Sequence, residues 1–405
     1  MTDTIIIGAG AAGCMAAVFA ARYGKKVLLF ESGSRIGRKL RITGKGRCNV
    51  TNNSPTEEHM RNIPVNSRFL YSAFSQFGAE ETMSFFEELG VSLKTERGNR
   101  VFPVSDNAED VVNAFERELK NTGVKLIKQP VSSLILEEGR CCGVVSGGKE
   151  YRSGSVLIAC GGKSYPGTGS TGDGYRFAKS AGHTVTELKP SLVPLVSRDK
   201  FCAELMGLSL RNVTAQLYDG GKLIFSELGE MLFTHFGVSG PLVLSASSHI
   251  REMQPGRYRL VIDLKPGLSP EQLDARIKRD FAENLNRDFR NGIRKLLPAK
   301  LIPVIIRLSG IDPERKINGI TREERRKFGE LIKAFPVKIS GFRPIEEAII
   351  TSGGVSVREI DPRTMESKIC PGLFFAGEVI DVDAYTGGFN LQIAFSTAYS
   401  AAIYL

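Results

Sequence analysis

The stretch Thr4-Ile5-Ile6-Ile7-Gly8-Ala9-Gly10-Ala11-Ala12-Gly13 decides the fold. A short apolar run breaks into a G-x-G-x-x-G turn, and a small-residue helical segment follows through Ala21. A second run, Lys26-Val27-Leu28-Leu29-Phe30, ends on Glu31. Strand, glycine turn, helix, strand and acid, in that order, is the pattern of a dinucleotide-binding unit. Gly8 permits the sharp turn, Gly10 lets the backbone approach a pyrophosphate, and Gly13 lets helix and strand pack closely. The phosphate charge then meets free N–H groups at the positive end of the helix. Glu31 lies about 20 residues on, where a carboxylate accepts from both ribose hydroxyls and disfavours a 2′-phosphate. An adenine dinucleotide site is expected, because a glycine turn that binds nothing leaves the acid unexplained.

The chain has 405 residues, more than one core usually holds, so two or three domains are expected. Its 42% hydrophobic and 24% charged residues are ordinary for a globular protein and exclude wholesale disorder. No apolar run is long enough to span a bilayer, and no membrane partner is expected. The first strand begins at the N-terminus and is expected to leave no room for a cleavable signal. Cys14, Cys48, Cys141, Cys142, Cys160, Cys202 and Cys370 are scattered and contain no C-x-x-C pair. They read as reduced thiols in a cytoplasm, with neither a disulfide framework nor a metal site.

The net charge of +10 is uneven. From Glu271 to Lys333 there are 16 Lys/Arg against 10 Asp/Glu, a net of +6. The plainer reading is a solvated helical face; the functional one is a surface for an anionic cofactor, an acidic substrate or RNA. The plainer reading is preferred, so the expected partner is a small-molecule substrate and no stable nucleic acid.

Residues 1–190 alternate strand and helix signals, as for a parallel sheet covered on both faces. Helices are expected over Ala79–Glu88 and Ala108–Thr122, and a buried strand over Ser155–Cys160. From Leu192 the texture turns to short strands, including a hairpin around Asp219-Gly220-Gly221 and a separate strand at Glu230–Phe233. Helices then follow over Glu271–Asn284, Gly292–Ser309 and Thr321–Phe335, and a β segment over Ile345–Glu359. The fold class is α/β. A Rossmann-type domain (1–190 and 361–405) is interrupted by a small β insert (191–268 and 335–360), itself carrying a small helical insert (269–334).

Near the C-terminus, Gly372-Leu373-Phe374-Phe375-Ala376-Gly377-Glu378 is a second hydrophobic strand stopping at an acid. Asp383-Ala384-Tyr385-Thr386-Gly387-Gly388-Phe389-Asn390-Leu391-Gln392 and a small-residue helix follow. A second acid at a distant strand end suits a dinucleotide with a sugar-alcohol chain, the ribityl of FAD, whose hydroxyl Glu378 would accept. The final helix aims its N-terminus at the pyrimidine end, where it stabilises negative charge on the reduced ring.

These units, with Ile158-Ala159-Cys160-Gly161-Gly162, resemble the glutathione-reductase-type flavoprotein superfamily. Thr171-Gly172-Asp173-Gly174 is similar to its fumarate reductase and aspartate oxidase branch. Gly46-Arg47-Cys48-Asn49-Val50-Thr51-Asn52, Thr234-His235-Phe236-Gly237-Val238-Ser239-Gly240-Pro241, Thr364-Met365-Glu366-Ser367-Lys368 and the run Phe374 to Phe395 resemble one family within it. That is the BaiN/YhiN-like family of NAD(P)/FAD-dependent or aminoacetone-oxidase-type oxidoreductases, and the resemblance covers essentially the whole chain. One departure is Lys45, where the family loop usually has glycine. The resemblance implies a FAD domain, a β-barrel-like insert and a small helical insert, with FAD contacts from Gly8, Gly10, Gly13, Glu31, Arg38, Lys39, Gly44, Val131 through its backbone, Gly377, Glu378, Asn390 and Leu391.

Flavin would carry the redox step, leaving the protein to orient substrate and handle one proton. Arg47 is a candidate for a carboxylate or enolate oxygen, with a phosphate contact as the plainer reading. His235 is a candidate proton donor, with a structural hydrogen bond as its plainer reading, and Tyr385 a candidate to line the pocket over the ring, with packing as its plainer reading. Cys48 has no partner at redox spacing. Gly167-Thr168-Gly169-Ser170-Thr171-Gly172 matches G-x-G-x-x-G but follows no strand directly and precedes no acid-ended one. NAD(P)H is therefore expected as a transient donor without its own domain. The leading function is an NAD(P)H-fed reductase of a C=C conjugated to a carbonyl, by hydride transfer from flavin N5; dehydro-bile acids are the precedent the resemblance implies. The alternatives are an amine or amino-ketone oxidase using oxygen, and an RNA-associated flavoprotein docking through the basic helices.

Overall fold

A computed structural model describes residues 2–405. It divides into two units, residues 2–191 with 345–405, and residues 192–344. In the first, the opening strand Thr2–Ile7 lies between Val27–Phe30 and Lys149–Ile158, all parallel. Lys125–Ile127 extends the sheet beyond Val27–Phe30, and Leu373–Phe375 pairs with Lys149–Ile158 on the far side. The first half of Lys149–Ile158 turns instead to the antiparallel strands Arg140–Ser146 and Val131–Glu137. Ile5, Ile6, Val156, Leu157 and Phe375 are completely buried, as near-continuous apolar runs in a parallel sheet require.

The C-terminal helix Phe389–Tyr404 is apolar on all sides and buries Phe395, Ala398 and Ala401 completely. Phe395 meets Phe86 edge-on at 5.5 Å, and Phe86 meets Phe115 at 5.4 Å, tying three helices into one core. A small sheet of Thr51–Asn52, Arg100–Pro103 and Leu93–Glu96 joins this unit.

The second unit is a closed barrel of six antiparallel strands, in the order Leu195–Ser197, Gly237–Ser239, Lys222–Thr234, Ser209–Asp219, Tyr258–Asp263 and Phe335–Phe342. Closure leaves no sheet edge. The helices Pro270–Ala282, Ile302–Ser309 and Arg322–Lys333 share its core, with Ile277, Phe289, Phe328 and Ile332 buried in one cluster with Leu260 and Val337.

Four expectations are corrected. The separate strand at Glu230–Phe233 is the end of one 13-residue strand, Lys222–Thr234. The helix expected over Gly292–Ser309 breaks into Phe289–Gly292, a turn at Ala299–Leu301, and Ile302–Ser309, because Pro298 and Pro303 are tolerated only at helix starts. Residues 345–360 belong to the first unit rather than the barrel, since Ile350–Ser352 pairs with Lys189–Ser191. The helical insert is not a separate body, since it shares the barrel's core.

Candidate cofactor and active site

The parallel strands end together, and ligands of such sheets bind outside those carboxyl ends. There Gly13 allows the first helix, Ala11–Arg22, to press onto the turn; a Cβ at Gly13 would lie 1.7 Å from the Gly8 carbonyl oxygen. Gly10 caps that helix with no side-chain hydrogen bond, and a Cβ there would meet no protein atom within 4 Å. The start of that helix thus leaves room beside Gly10 for an anion at its first-turn N–H groups.

Glu31 is fixed by its own turn: Oε2 accepts from the Ala9 N–H at 2.9 Å and Oε1 from the Gly33 N–H at 2.7 Å. Each oxygen keeps a lone pair for a ribose hydroxyl. Arg38 donates to the Gly167 carbonyl, so the G-x-G-x-x-G decoy at 167–172 borders this region as a turn followed by the helix Asp173–Ser180. Val131 is buried at the start of its strand, opposite Ser146.

The second acid is also built in. Glu378 Oε1 accepts from Ser164 Oγ at 3.0 Å and from the Thr351 N–H at 2.8 Å. Lys39 Nζ pairs with Oε2 at 2.8 Å and donates to Ser164 Oγ at 2.8 Å. Lys39 and Glu378 are therefore brought together from opposite ends of the chain, and one lone pair of Oε2 is left for a ribityl hydroxyl. Gly377 donates its N–H to Thr397 Oγ1 at 3.0 Å, and a Cβ on it would lie 2.9 Å from Ala12 Cβ. The two glycine-marked strand ends therefore meet through the first helix.

At the start of the C-terminal helix, Gly388 takes a left-handed conformation with no side-chain cap, and no acid occupies the first turn. Asn390 turns its side chain back: Oδ1 accepts from the Ala384 N–H at 2.9 Å and Nδ2 donates to the Ala384 carbonyl at 2.8 Å. Together with Tyr385 N–H donating to the Asn62 carbonyl at 3.0 Å, this pins the turn that carries Tyr385. Leu391 packs half-buried against the core.

The loop holding Gly44 is tightly folded, with Cys48 N–H donating to the Thr43 carbonyl at 3.0 Å. Arg47 lies over the Phe102 ring at 4.0 Å and pairs with Glu96 at 2.5 Å and Asp106 at 2.6 Å. Its guanidinium is thus occupied by protein; its hydrogen bond holds the Glu96 carboxyl below the ordinary range, and Lys94, with Arg47 beside it, does the same to Asp106. Burial pushes the Cys48 thiol up to about 12, so it carries no thiolate near neutrality. His235 stands exposed on the turn between Lys222–Thr234 and Gly237–Ser239, its ring 5.0 Å from that of Phe236.

One residue of this loop was not singled out by sequence reasoning. Asn49 Oδ1 is buried without a hydrogen-bond partner. Two residues on, Thr51–Asn52 lies against the helix start, with Asn52 Nδ2 donating to the Gly387 carbonyl at 2.9 Å. An orphaned acceptor beside that end fits an N–H donor of a bound flavin. The run Gly46 to Asn52 was the available signal. With open phosphate space, two held acids and this acceptor, the residues present fit FAD.

A family model for the HI0933-like protein Rossmann domain matches residues 2–404. The chain is 31% identical to the 3-dehydro-bile acid delta(4,6)-reductase of Clostridium scindens, over 98% of this chain and 97% of that one. It is 33% identical to the ribosomal RNA dihydrouridine synthase of Haemophilus influenzae, over 99% and 98%. Among solved structures, the 3-ketosteroid delta1-dehydrogenase of Sterolibacterium denitrificans shares the fold, with a TM-score of 0.54 at 14% identity over 99% of this chain and 98% of that one. No helix among the described residues is long and apolar enough to cross a membrane. By sequence, by fold and by the acids at both strand ends, the chain belongs to the HI0933-like family of FAD-dependent Rossmann-fold oxidoreductases.

Proposed function

We propose that this protein reduces a C=C bond conjugated to a carbonyl, with NAD(P)H as the transient electron donor. The observation that carries this reading is the C-terminal helix, whose uncapped N-terminus, free of acids in its first turn, favours negative charge on a reduced ring. The names of two full-length relatives describe one reaction class. Reducing each double bond of a delta(4,6) 3-dehydro bile acid, like making dihydrouridine, adds two hydrogens across a C=C conjugated to a carbonyl.

Bound FAD, once reduced, supplies the hydride equivalent. The protein must hold the carbonyl and place one proton on the α-carbon. Arg47, bound to Glu96 and Asp106, holds the Thr43–Cys48 loop rather than a substrate oxygen. Tyr385 and His235 are the proton-donor candidates. Replacing the true donor by Phe or Ala, respectively, lowers turnover but leaves reduction of the flavin by NAD(P)H unchanged.

A second reading concerns the substrate, not the chemistry. The net charge of +10 favours a polyanion carrying the reducible ring, such as a uracil base in RNA, over a free steroid. Anaerobic stopped-flow absorbance tests the reaction class. Rapid bleaching by NADH or NADPH, followed by recovery on adding a conjugated ketone or a uridine-containing RNA, is the expected result. Bleaching by an amine with peroxide release in air would establish an oxidase instead.

A further inference from the structure

The two units divide the charge unequally. Residues 192–344 carry 26 Lys/Arg against 17 Asp/Glu, a net of +9, which leaves +1 of the total +10 on the FAD-binding unit. Many cations of this unit are neutralised in place. Arg276 pairs with Asp280 at 2.9 Å, Lys278 and Arg325 with Asp274 at 2.9 and 2.8 Å, and Lys327 with Glu323 at 2.8 Å. Arg287 and Arg294 differ: both are exposed and, among the described residues, neither makes an ion pair.

Arg287 lies on a laced ribbon, and Arg294 follows it just beyond the short helix Phe289–Gly292. Residues 285–290 are laced to 313–318 by backbone hydrogen bonds: Phe289 N–H to the Arg315 carbonyl at 2.8 Å, Ile317 N–H to the Arg287 carbonyl at 3.0 Å, and Asn318 N–H to the Leu285 carbonyl at 3.1 Å. That lacing gathers Arg287, Arg290, Arg315 and Lys316 onto one ribbon, with Arg294 four residues beyond Arg290. Arg315 is held by Glu324 at 2.5 Å, but the other two pairs are looser or at the surface: Glu314 is 3.6 Å from Arg290, and Lys316 pairs with Asp288 at 2.8 Å while 59% exposed. Exposed pairs of this kind are worth little and yield to a stronger anion. The free guanidinium forks match phosphate geometry.

A lipid surface fits less well than a nucleic acid. A membrane-lying helix needs a free apolar face, whereas Ile277, Phe328 and Ile332 turn the apolar faces of their helices into the core. We propose that the ribbon of residues 285–290 and 313–318, with the residues that follow it to Arg294, is a docking surface for the phosphate backbone of RNA. The proposal rests on the conjugated-bond reading above, and it reverses the expectation of no nucleic-acid partner.

The test is fluorescence anisotropy of the FAD-loaded protein with labelled oligouridine across a salt series. The Arg287→Ala/Arg294→Ala variant is expected to bind at least tenfold more weakly, with a log–log salt slope shallower by about 1.4 for two lost phosphate contacts. The Arg287→Lys/Arg294→Lys variant should keep most of the affinity, and Arg152→Ala, on the other unit, should match wild type. Absence of binding by wild type, an unchanged double-alanine variant, or an equal loss in Arg152→Ala would overturn the proposal. Tighter binding to anionic vesicles than to RNA, lost in the double-alanine variant, would assign the ribbon to membranes and overturn it too. The double-alanine variant should still reduce a small conjugated ketone at the wild-type rate. RNA binding through these arginines, in a protein that reduces neither ketone nor base, would uphold the surface and sink the reductase reading.

Discussion

Three glycines and an acid carry most of the binding argument at the scale of single residues, and they separate folding from binding. Gly13→Ala puts a methyl where the Gly8 carbonyl already is, so a loss of at least about 3 kcal/mol in a denaturant titration is expected. Gly10→Ala meets no protein atom, so the apoprotein should melt as wild type does while FAD binds about tenfold more weakly. Equal melting losses in both variants would remove Gly10 from the phosphate site. Glu31→Ala removes charge-assisted hydrogen bonds worth about 1.5–3 kcal/mol, so flavin-fluorescence titration should read about ten- to hundredfold weaker binding. These positions were legible because spacing alone forces their roles. Asn49 was not, because only the fold shows that its amide oxygen is buried and unpaired. Nor was the capture of Arg47 by Glu96 and Asp106, which lie 49 and 59 residues away in the chain.

Among the elements, those read correctly are those whose pattern is local. The strands ending at Gly8, Glu31 and Gly377 each carry an apolar run and its stop, and the Ala108–Asn121 helix carries its Asn107 cap. The misread ones depend on distant partners. Lys222–Thr234 stays one strand because Ser209–Asp219 pairs along its length, and Ile350–Ser352 joins the first unit only through Lys189–Ser191. The Thr43–Asn52 loop makes a prediction of its own. Arg47→Ala releases the tie to Glu96, Asp106 and Phe102, so amide exchange across residues 43–52 should quicken and FAD affinity should fall. Unchanged exchange there, with lost turnover, would return Arg47 to the substrate.

Over the whole molecule, burial lowers the proton affinity of His59 and His183, and it takes His249 down to about 4. The unfolded chain binds protons at these sites below about pH 6.5, whereas the folded chain resists them. Their neutral forms therefore support folding above that pH, and the support is lost as pH falls, by up to about 1.4 kcal/mol per unit for each histidine. Urea midpoints should drop between pH 6.5 and 5, before the carboxylates titrate; a flat profile would mean that these rings are protonated when folded. At the same scale lies the central claim, that two acid-ended strands far apart in sequence grip one FAD. Equilibrium titration of the apoprotein with FAD, read by flavin fluorescence and by the absorbance of the bound chromophore, tests it most directly. One FAD per chain should bind, weakened by Glu31→Ala and by Glu378→Ala. A colourless protein that refuses added FAD, or one indifferent to both substitutions, would contradict it.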